Sequence, residues 1–395
     1  MKPVARSVPP RRPVRGLSLV ELMVALVLGL VLTFGLASVY LSSKTAFVRQ
    51  GQLSSVQQSV RTAFEYLATD LRMAGHYGCY TGSSSAPAQP GLSTADLAAN
   101  FSIGVAGYEY SNATADAYTL TSSTPTNVTT ASSWEIDAGT GIDTIPVTTI
   151  GGAAGLTPGS DVLVVRSVTG RPMRLTASTV SGSSMFSVEA VSGGKCGSGA
   201  DKLSGFCTGS YGLIANCAKA RIFSADAVAA AGAAVNITAG GATNFESGEY
   251  APGTAEVFPM QTVAYYIKAS SSGNGTSLYR RVFDGTVAAG VEQELIEGVE
   301  NMQVTYGRDR LPAADPDGAV DDYVTADEVQ AAEWPHIVAV RVSLLIRASD
   351  PIESGLQGLP ASAPVNGVVV TFPSAGPKYD RRVFTTTVAI RNKIG

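Results

Sequence analysis

No proline occurs between Pro13 and Pro87, and the first part of that stretch is almost free of charge. Residues 17–41 hold one charged side chain, Glu21. At 1.5 Å rise per residue, this run makes a helix of about 38 Å, long enough to cross a bilayer. Lys2, Arg6, Arg11, Arg12 and Arg15 precede it, and Lys44 and Arg49 follow it. The more positive end is expected to stay in the cytoplasm, which sends the C-terminal bulk to the other side.

The helix is predicted to continue past the apolar run. Leu53, Val56, Val60, Phe64, Leu67 and Leu71 recur at spacings of three and four, forming one apolar stripe. Gln52, Gln57, Gln58, Arg61, Glu65 and Asp70 supply the polar positions around it. Gly75 and Gly78 are stop signals. A single helix from Ser18 to Met73 would be roughly 80 Å long. Its second half is expected to lay its stripe on a folded domain. Gly29 and Gly35 read as packing glycines of an apolar helix.

A carboxylate inside a bilayer-length segment is costly, so Glu21 needs a reason. An ordinary secretory signal has a shorter apolar core with a small-x-small cleavage site after it. A plain membrane anchor prescribes no residue at its start. Here Gly16 precedes the run, Leu17 opens it, and Glu21 stands at the fifth position after the glycine. This arrangement resembles the class III signal of type IV prepilins. The resemblance implies that a prepilin peptidase cuts between Gly16 and Leu17 and methylates the new amino group of Leu17. It implies that an N-terminal ammonium, from the same or a neighbouring subunit, neutralises Glu21 inside a filament core. Glu21 would then set subunit register and take no part in catalysis.

Charge narrows the partners. The formal net charge is −4. Five of the 28 basic residues lie before residue 17; without them 23 face 32 acidic residues, a net charge of −9. A phosphate-facing surface needs excess Lys and Arg, so a nucleic-acid partner is not expected. The four cysteines, Cys79, Cys196, Cys207 and Cys217, form no Cys-x-x-Cys pair, and there are two histidines, His76 and His336. A structural zinc site is therefore not expected. An even cysteine count in an exported chain favours disulfides, and four cysteines allow three pairings. The preferred pairs are Cys196–Cys207, closing a short Gly-rich loop, and Cys79–Cys217, tying the helix exit to the following domain.

The rest of the chain reads as β-rich. Residues 82–159 are rich in Ser, Thr, Ala and Gly and suggest loops, irregular strands and surface insertions. Strands are predicted at 161–168, 185–191, 211–216, 220–223, 262–268, 277–283, 302–306, 337–347, 368–372 and 383–390. Val338, Val340, Val342, Leu344 and Ile346 line one face of a long strand, with Arg341, Ser343 and Arg347 on the other. Residues 294–299 are ambiguous between a helical turn and a strand. The fold class is α+β: a long N-terminal helix, transmembrane and then amphipathic, packed on a largely antiparallel sheet.

Three segments carry a closer resemblance. Glu294-Leu-Ile-Glu-Gly-Val-Glu-Asn-Met-Gln-Val-Thr-Tyr-Gly307 is one, and Val338-Ala-Val-Arg-Val-Ser-Leu-Leu-Ile-Arg347 after Trp334 is another. Arg381-Arg-Val-Phe-Thr-Thr-Thr-Val-Ala-Ile-Arg-Asn392 closes the chain. With Met73-Ala-Gly-His-Tyr-Gly-Cys79 they resemble the PilW family of type IV minor pilins, over the helix and roughly the last hundred residues. The resemblance implies a low-abundance pilin that primes assembly and joins a tip complex. Its partners would be other minor pilins, the major pilin, a tip adhesin and the inner-membrane assembly platform. It implies a leader at 1–16, a membrane or filament-core helix at 17–41, an amphipathic continuation at 42–75 and a periplasmic domain at 76–395. A minor pseudopilin of type II secretion shares the leader, helix and β domain. A tip module that binds a surface or DNA through residues 82–159 is a reading from a different class.

Signals for chemistry are thin. Asp309, Asp315, Asp317, Asp321 and Asp322 cluster around Asp315-Pro-Asp-Gly318, and oxygen-rich loops with a glycine turn can hold calcium. The full EF-hand pattern is absent, and Asp-Gly is also a common turn. Structural calcium on Asp309, Asp315, Asp317 and Asp321 is the one cofactor considered. No Gly-x-Ser-x-Gly elbow sits near a histidine and an acid, and no Walker A, dinucleotide or His-Glu-x-x-His motif occurs. His76 and His336 read as structural, and Glu297 and Glu300 as solvated carboxylates. No enzyme is expected.

Overall fold

The computed structural model describes residues 18–80, 86–110, 117–120, 127–130, 133–136, 145–196, 199–241, 244–310, 318–352 and 359–393. The chain divides into two units, Met1–Ser55 and Val56–Gly395. One helix, Leu19–Arg72, supplies the described part of the first unit and opens the second.

In the first unit, every residue from Ser18 to Lys44 is exposed, apolar ones included. Leu19, Leu30 and Phe34 each present more than two thirds of their surface. The hydroxyl of Thr33 is satisfied locally, donating to the carbonyls of Gly29 (3.0 Å) and Leu30 (2.9 Å), as a polar group in an apolar helix must be. The helix is long and apolar enough to cross a membrane by length and composition.

In the second unit, the predicted stripe is the buried face of the helix. Val60, Ala63, Leu67 and Leu71 are buried, with Val56, Phe64 and Ala68 packed at their margins. Arg61, Thr62, Glu65, Tyr66 and Thr69 stay exposed between them. Leu67 and Leu71 are each 0% exposed, and truncating such a leucine to alanine costs about 2–5 kcal/mol.

The largest sheet among the described residues has eleven strands, all paired antiparallel. Its main path runs Trp134–Glu135, Val105–Tyr110, Val162–Val168, Glu256–Ala269, Tyr211–Ala215, Ala220–Ala231, Ala234–Ala239 and Met185–Glu189. Glu256–Ala269 also pairs with Thr276–Phe283, which pairs with Val291–Glu297. A second antiparallel sheet runs Asp322–Val324, Val299–Arg308, Ile337–Arg347 and Arg381–Ala389. One apolar core joins the helix stripe to Val162, Val164, Val263 and Tyr265 of the large sheet and to Val304, Val340, Val342 and Leu344 of the second.

The alternation read in Ile337–Arg347 is real, but its second face does not meet solvent. Leu345 packs with Leu120, Val365, Val370 and Phe372 in a separate small core. A three-stranded sheet builds that cover from Ser362–Val365, Val368–Thr371 and Ala117–Thr119, the last pairing parallel.

Several sequence expectations need correction. Residues 82–159, read as loops, irregular strands and surface insertions, also supply a regular interior strand and part of the core. Val105–Tyr110 is an interior strand between Trp134–Glu135 and Val162–Val168. Phe101, Val105, Tyr108, Trp134, Ile145, Ile150 and Leu156 are all buried. The small residues Ala106 and Gly107 hid this strand. A Cβ at Gly107 would collide with the Tyr306 hydroxyl, so glycine is needed there. The strand predicted at 262–268 begins earlier, at Glu256, and contains Pro259. Pro259 is tolerated because it sits where the strand changes partners, from Tyr211–Ala215 to Val162–Val168. The strand predicted at 220–223 runs on to Ala231 through an alanine-rich tail that pairs with Ala234–Ala239. The ambiguous residues 294–299 are strand, broken at Gly298 (φ +88°), whose left-handed backbone suits glycine.

Candidate functional site

The N-terminal end of the helix is built by Ser18. Its Oγ accepts the Glu21 N–H at 3.2 Å, and its carbonyl accepts the Leu22 N–H at 3.1 Å. Ser18-x-x-Glu21 therefore has the spacing of a capping box, a signal the sequence carries beside the spacing to Gly16. Glu21 also lies in the first turn, where the helix dipole favours a negative charge. Two local roles thus stand next to any role in assembly. Gly16 and Leu17 lie outside the described residues.

The C-terminal end of the helix is held in the second unit by polar contacts that reach far along the chain. Asp70 accepts from the Tyr265 hydroxyl at 2.6 Å and pairs with Arg280 at 3.0 Å. Burial, followed by the Asp70 charge, pushes the Tyr265 phenol up, so it stays a donor. Removing Asp70 would leave Arg280 as an uncompensated, largely buried cation.

Past Arg72 the carbonyls have no helical partners left. The side-chain amide of Asn392, near the chain's other end, donates to the carbonyls of Arg72 (3.4 Å) and Ala74 (3.2 Å). Its oxygen meets His76 Nδ1 at 3.2 Å. Gly75 (φ +63°) turns the chain, and its N–H donates to the Arg166 carbonyl. Tyr77 donates through its hydroxyl to the Phe101 carbonyl at 2.9 Å. Burial drives the Tyr77 phenol up to about 12.

Arg166 lies beneath this exit, 1% exposed. It donates to the carbonyls of Leu97 (3.1 Å) and Ile103 (3.2 Å), and burial pulls its guanidinium down to about 10. It therefore stays charged at neutral pH, and it holds the loop before Val105–Tyr110 under the helix exit. Cys79 is disulfide-bonded to Cys217, with Cα atoms 4.7 Å apart, and Cys196 to Cys207, at 6.0 Å. The first bridge links the segment after the helix to the residues just beyond strand Tyr211–Ala215.

The acidic loop is partly described. Asp315 and Asp317 lie outside the described residues. Asp309 is buried, and its carboxylate accepts the Gly318 N–H at 2.9 Å. The carboxylate of Asp321 accepts the Arg310 N–H at 2.8 Å. Asp322 pairs with Arg308 and Arg310, and its carboxyl is held below the ordinary range, chiefly by the Arg308 hydrogen bonds. Among the described residues no group of three or more acids, histidines or cysteines is placed to hold a metal ion.

Glu300 departs from its sequence reading. It is buried, and it accepts two hydrogen bonds from Arg381 at 2.6 and 3.0 Å, whereas Glu297 is exposed. His336 ends the turn Trp334–His336, where its carbonyl accepts the Asp309 N–H at 3.1 Å.

The first comparison with known proteins concerns the end of the chain that carries the apolar helix. Residues 11–37 match the prokaryotic N-terminal methylation motif. Residues 264–392 match the type IV pilus-assembly protein W family. The matched region runs from strand Glu256–Ala269 to the helix-capping Asn392. Together the two matches support a PilW-like type IV pilin. Among solved structures, the type IV-like pilin TTHA1219 from Thermus thermophilus is similar at 17% identity, over 34% of this chain and 66% of that chain, with a TM-score of 0.22. No curated protein matches the chain. The apolar helix with its methylation motif fits an inner-membrane anchor.

Proposed function

We propose that this chain is a minor pilin that primes type IV pilus assembly and takes a place in a tip complex with other minor pilins and an adhesin. The observation that carries the reading is the match of residues 264–392 to the pilus-assembly protein W family. In this reading a prepilin peptidase removes residues 1–16 between Gly16 and Leu17 and methylates Leu17. Residues 17–41 sit first in the inner membrane and then in the filament core. Residues 42–75 continue the helix, and residues 76–395 form the periplasmic domain. Glu21 meets an N-terminal ammonium in the core and sets register.

A physical argument supports the anchor. The exposed apolar side chains of Leu19 to Leu41 make a surface far too apolar to face water. They need lipid or other apolar helices around them. The deletion strain, complemented with the wild-type gene, tests the function. Surface pili and twitching are expected to fall in the deletion strain and to return with the complementing gene. Normal piliation in the deletion strain would contradict a priming role.

Calcium in the acidic loop is a separate proposal, on Asp309, Asp315, Asp317 and Asp321. Thermal unfolding with calcium and with chelator, in wild type and Asp317→Ala, tests it. A rise in Tm with calcium that Asp317→Ala removes supports the site. An unchanged Tm removes it, and leaves Asp309 and Asp321 as turn residues that bind backbone amides.

A further inference from the structure

We propose that Asn274 is a site of spontaneous deamidation, where the Gly275 nitrogen displaces ammonia and a carboxylate is left beside the buried Arg347 guanidinium. Asn274 and Gly275 lie in the connection between strands Glu256–Ala269 and Thr276–Phe283, with Asn274 exposed and Gly275 buried. Both meet Arg347, the last residue of strand Ile337–Arg347, which is 2% exposed. Arg347 Nη2 donates to both carbonyl oxygens of Asn274, at 2.7 Å to the backbone oxygen and at 3.0 Å to Oδ1. Arg347 Nε and Nη1 are buried with no hydrogen-bond partner among the described residues. The Gly275 backbone lies against the guanidinium, where a Cβ would collide with Nη2, and the Tyr379 ring centre is 4.3 Å from it.

The charge around Arg347 is not balanced. Arg347 and Arg381 share one acid, Glu300. Arg381 donates two hydrogen bonds to it, and Arg347 Nε stands 3.9 Å from it. Two cations with buried side chains thus face one carboxylate, and a buried charge without a full partner is costly. The acids beside the connection are engaged elsewhere. Glu294 accepts from Ser270 (2.8 Å) and Ser277 (2.6 Å), Glu297 accepts from Ser272 (3.0 Å), and Asp380 pairs with Arg382. The acceptor that Arg347 does have is a neutral amide. A carboxylate in its place makes that hydrogen bond charge-assisted, which is roughly twice as strong.

The reaction needs only water. The Gly275 nitrogen bonds to Asn274 Cγ and loses its proton, while the Cγ–Nδ2 bond breaks and Nδ2 leaves with a proton as ammonia. Water then adds to one carbonyl of the cyclic imide. Breaking the new bond gives aspartate, and breaking the original peptide bond gives isoaspartate, so either product carries a carboxylate. Glycine leaves the attacking nitrogen unhindered because it has no Cβ. Arg347 Nη2 already sits on Oδ1, where negative charge develops as Cγ becomes tetrahedral. The chain's second Asn-Gly step, Asn366-Gly367, is held differently. It is the two-residue turn between the paired Val365 and Val368, with Asn366 at φ +49°, and Asn366 Nδ2 donates to Thr305 Oγ1 at 3.1 Å. That contact holds the leaving nitrogen, and the ladder on either side resists the rotation that ring closure requires.

The test is peptide mass spectrometry of the full chain aged at neutral pH, folded in detergent micelles and unfolded in guanidinium chloride, against fresh protein digested in parallel. Trypsin places Asn274 in the peptide Ala269–Arg280 and Asn366 in Ala348–Lys378. In the unfolded chain the two steps are expected to convert at similar rates. In the folded chain Asn274 is expected to convert at least as fast as when unfolded, and about tenfold faster than Asn366. Slower conversion of Asn274 in the folded chain than in the unfolded one, or conversion no faster than at Asn366, would overturn the site. Asn274→Asp reads the consequence for Arg347. Its urea unfolding constant is expected to fall about fivefold below that of fresh wild type. An equal or larger constant would overturn the role of the carboxylate in balancing Arg347.

Discussion

Glu21→Gln is expected to lose incorporation into pili about as completely as Glu21→Ala. Glutamine serves at the third helical position of a capping box as well as glutamate does, so Ser18 still caps the helix in the first variant. Only the charge is removed. If Glu21 pairs with an N-terminal ammonium in an apolar filament core, removing one partner leaves the other buried and unpaired. That costs about 3–5 kcal/mol, or about 100- to 5,000-fold in incorporation. Quantifying the subunit in sheared pili, against its level in membranes, reads this directly. Normal incorporation of Glu21→Gln together with failure of Glu21→Ala would mean that Glu21 works as a helix cap.

Cys79→Ser/Cys217→Ser is expected to be the most destabilising change to the second unit. The bridge closes a sequence separation of 138 residues, against 11 for Cys196–Cys207. Loop-closure entropy scales with the logarithm of that length and predicts a loss of about 3–5 kcal/mol, and about 2–3 kcal/mol for the short loop. The long bridge also lies where the helix turns into the sheet. Its loss leaves the exit held by Asn392, Tyr77 and the Gly75–Arg166 backbone bond. Thermal unfolding of the full chain in micelles, oxidised and without thiols, is the measurement. A smaller drop for the long bridge than for Cys196→Ser/Cys207→Ser would show that the remaining contacts hold the exit without it.

How much of this was legible depended on the range of the interactions. The helix stripe from Val56 to Leu71 was readable because local periodicity fixes which face of a helix is buried. Strand Ile337–Arg347 was readable for the same reason. What covers its other face was not readable, because a long strand cannot announce which remote segment packs on it, and Ala117–Thr119 comes from some two hundred residues earlier. Val105–Tyr110 was lost because its interior position is paid for by small residues that lower the apolar signal. Ala220–Ala231 was read short because alanine has weak β propensity, and only its ladder to Ala234–Ala239 keeps it extended. The alternation in Val235-Asn236-Ile237-Thr238 was a visible signal for that partner.

The site divides in the same way. Ser18-x-x-Glu21 and the spacing from Gly16 are local and can be read directly. The Asp70–Tyr265–Arg280 cluster and the Asn392 cap join residues far apart in sequence. No spacing rule points to them. They sit where the C-terminal end of the helix meets the sheets of the second unit.

The intact mass of the full-length gene product, purified from membranes that contain prepilin peptidase, tests the central claim most directly. The expected mass is that of a chain that begins at Leu17 and carries one added methyl group at its amino terminus. A chain that keeps Met1, or one cut beyond the apolar helix, would contradict it.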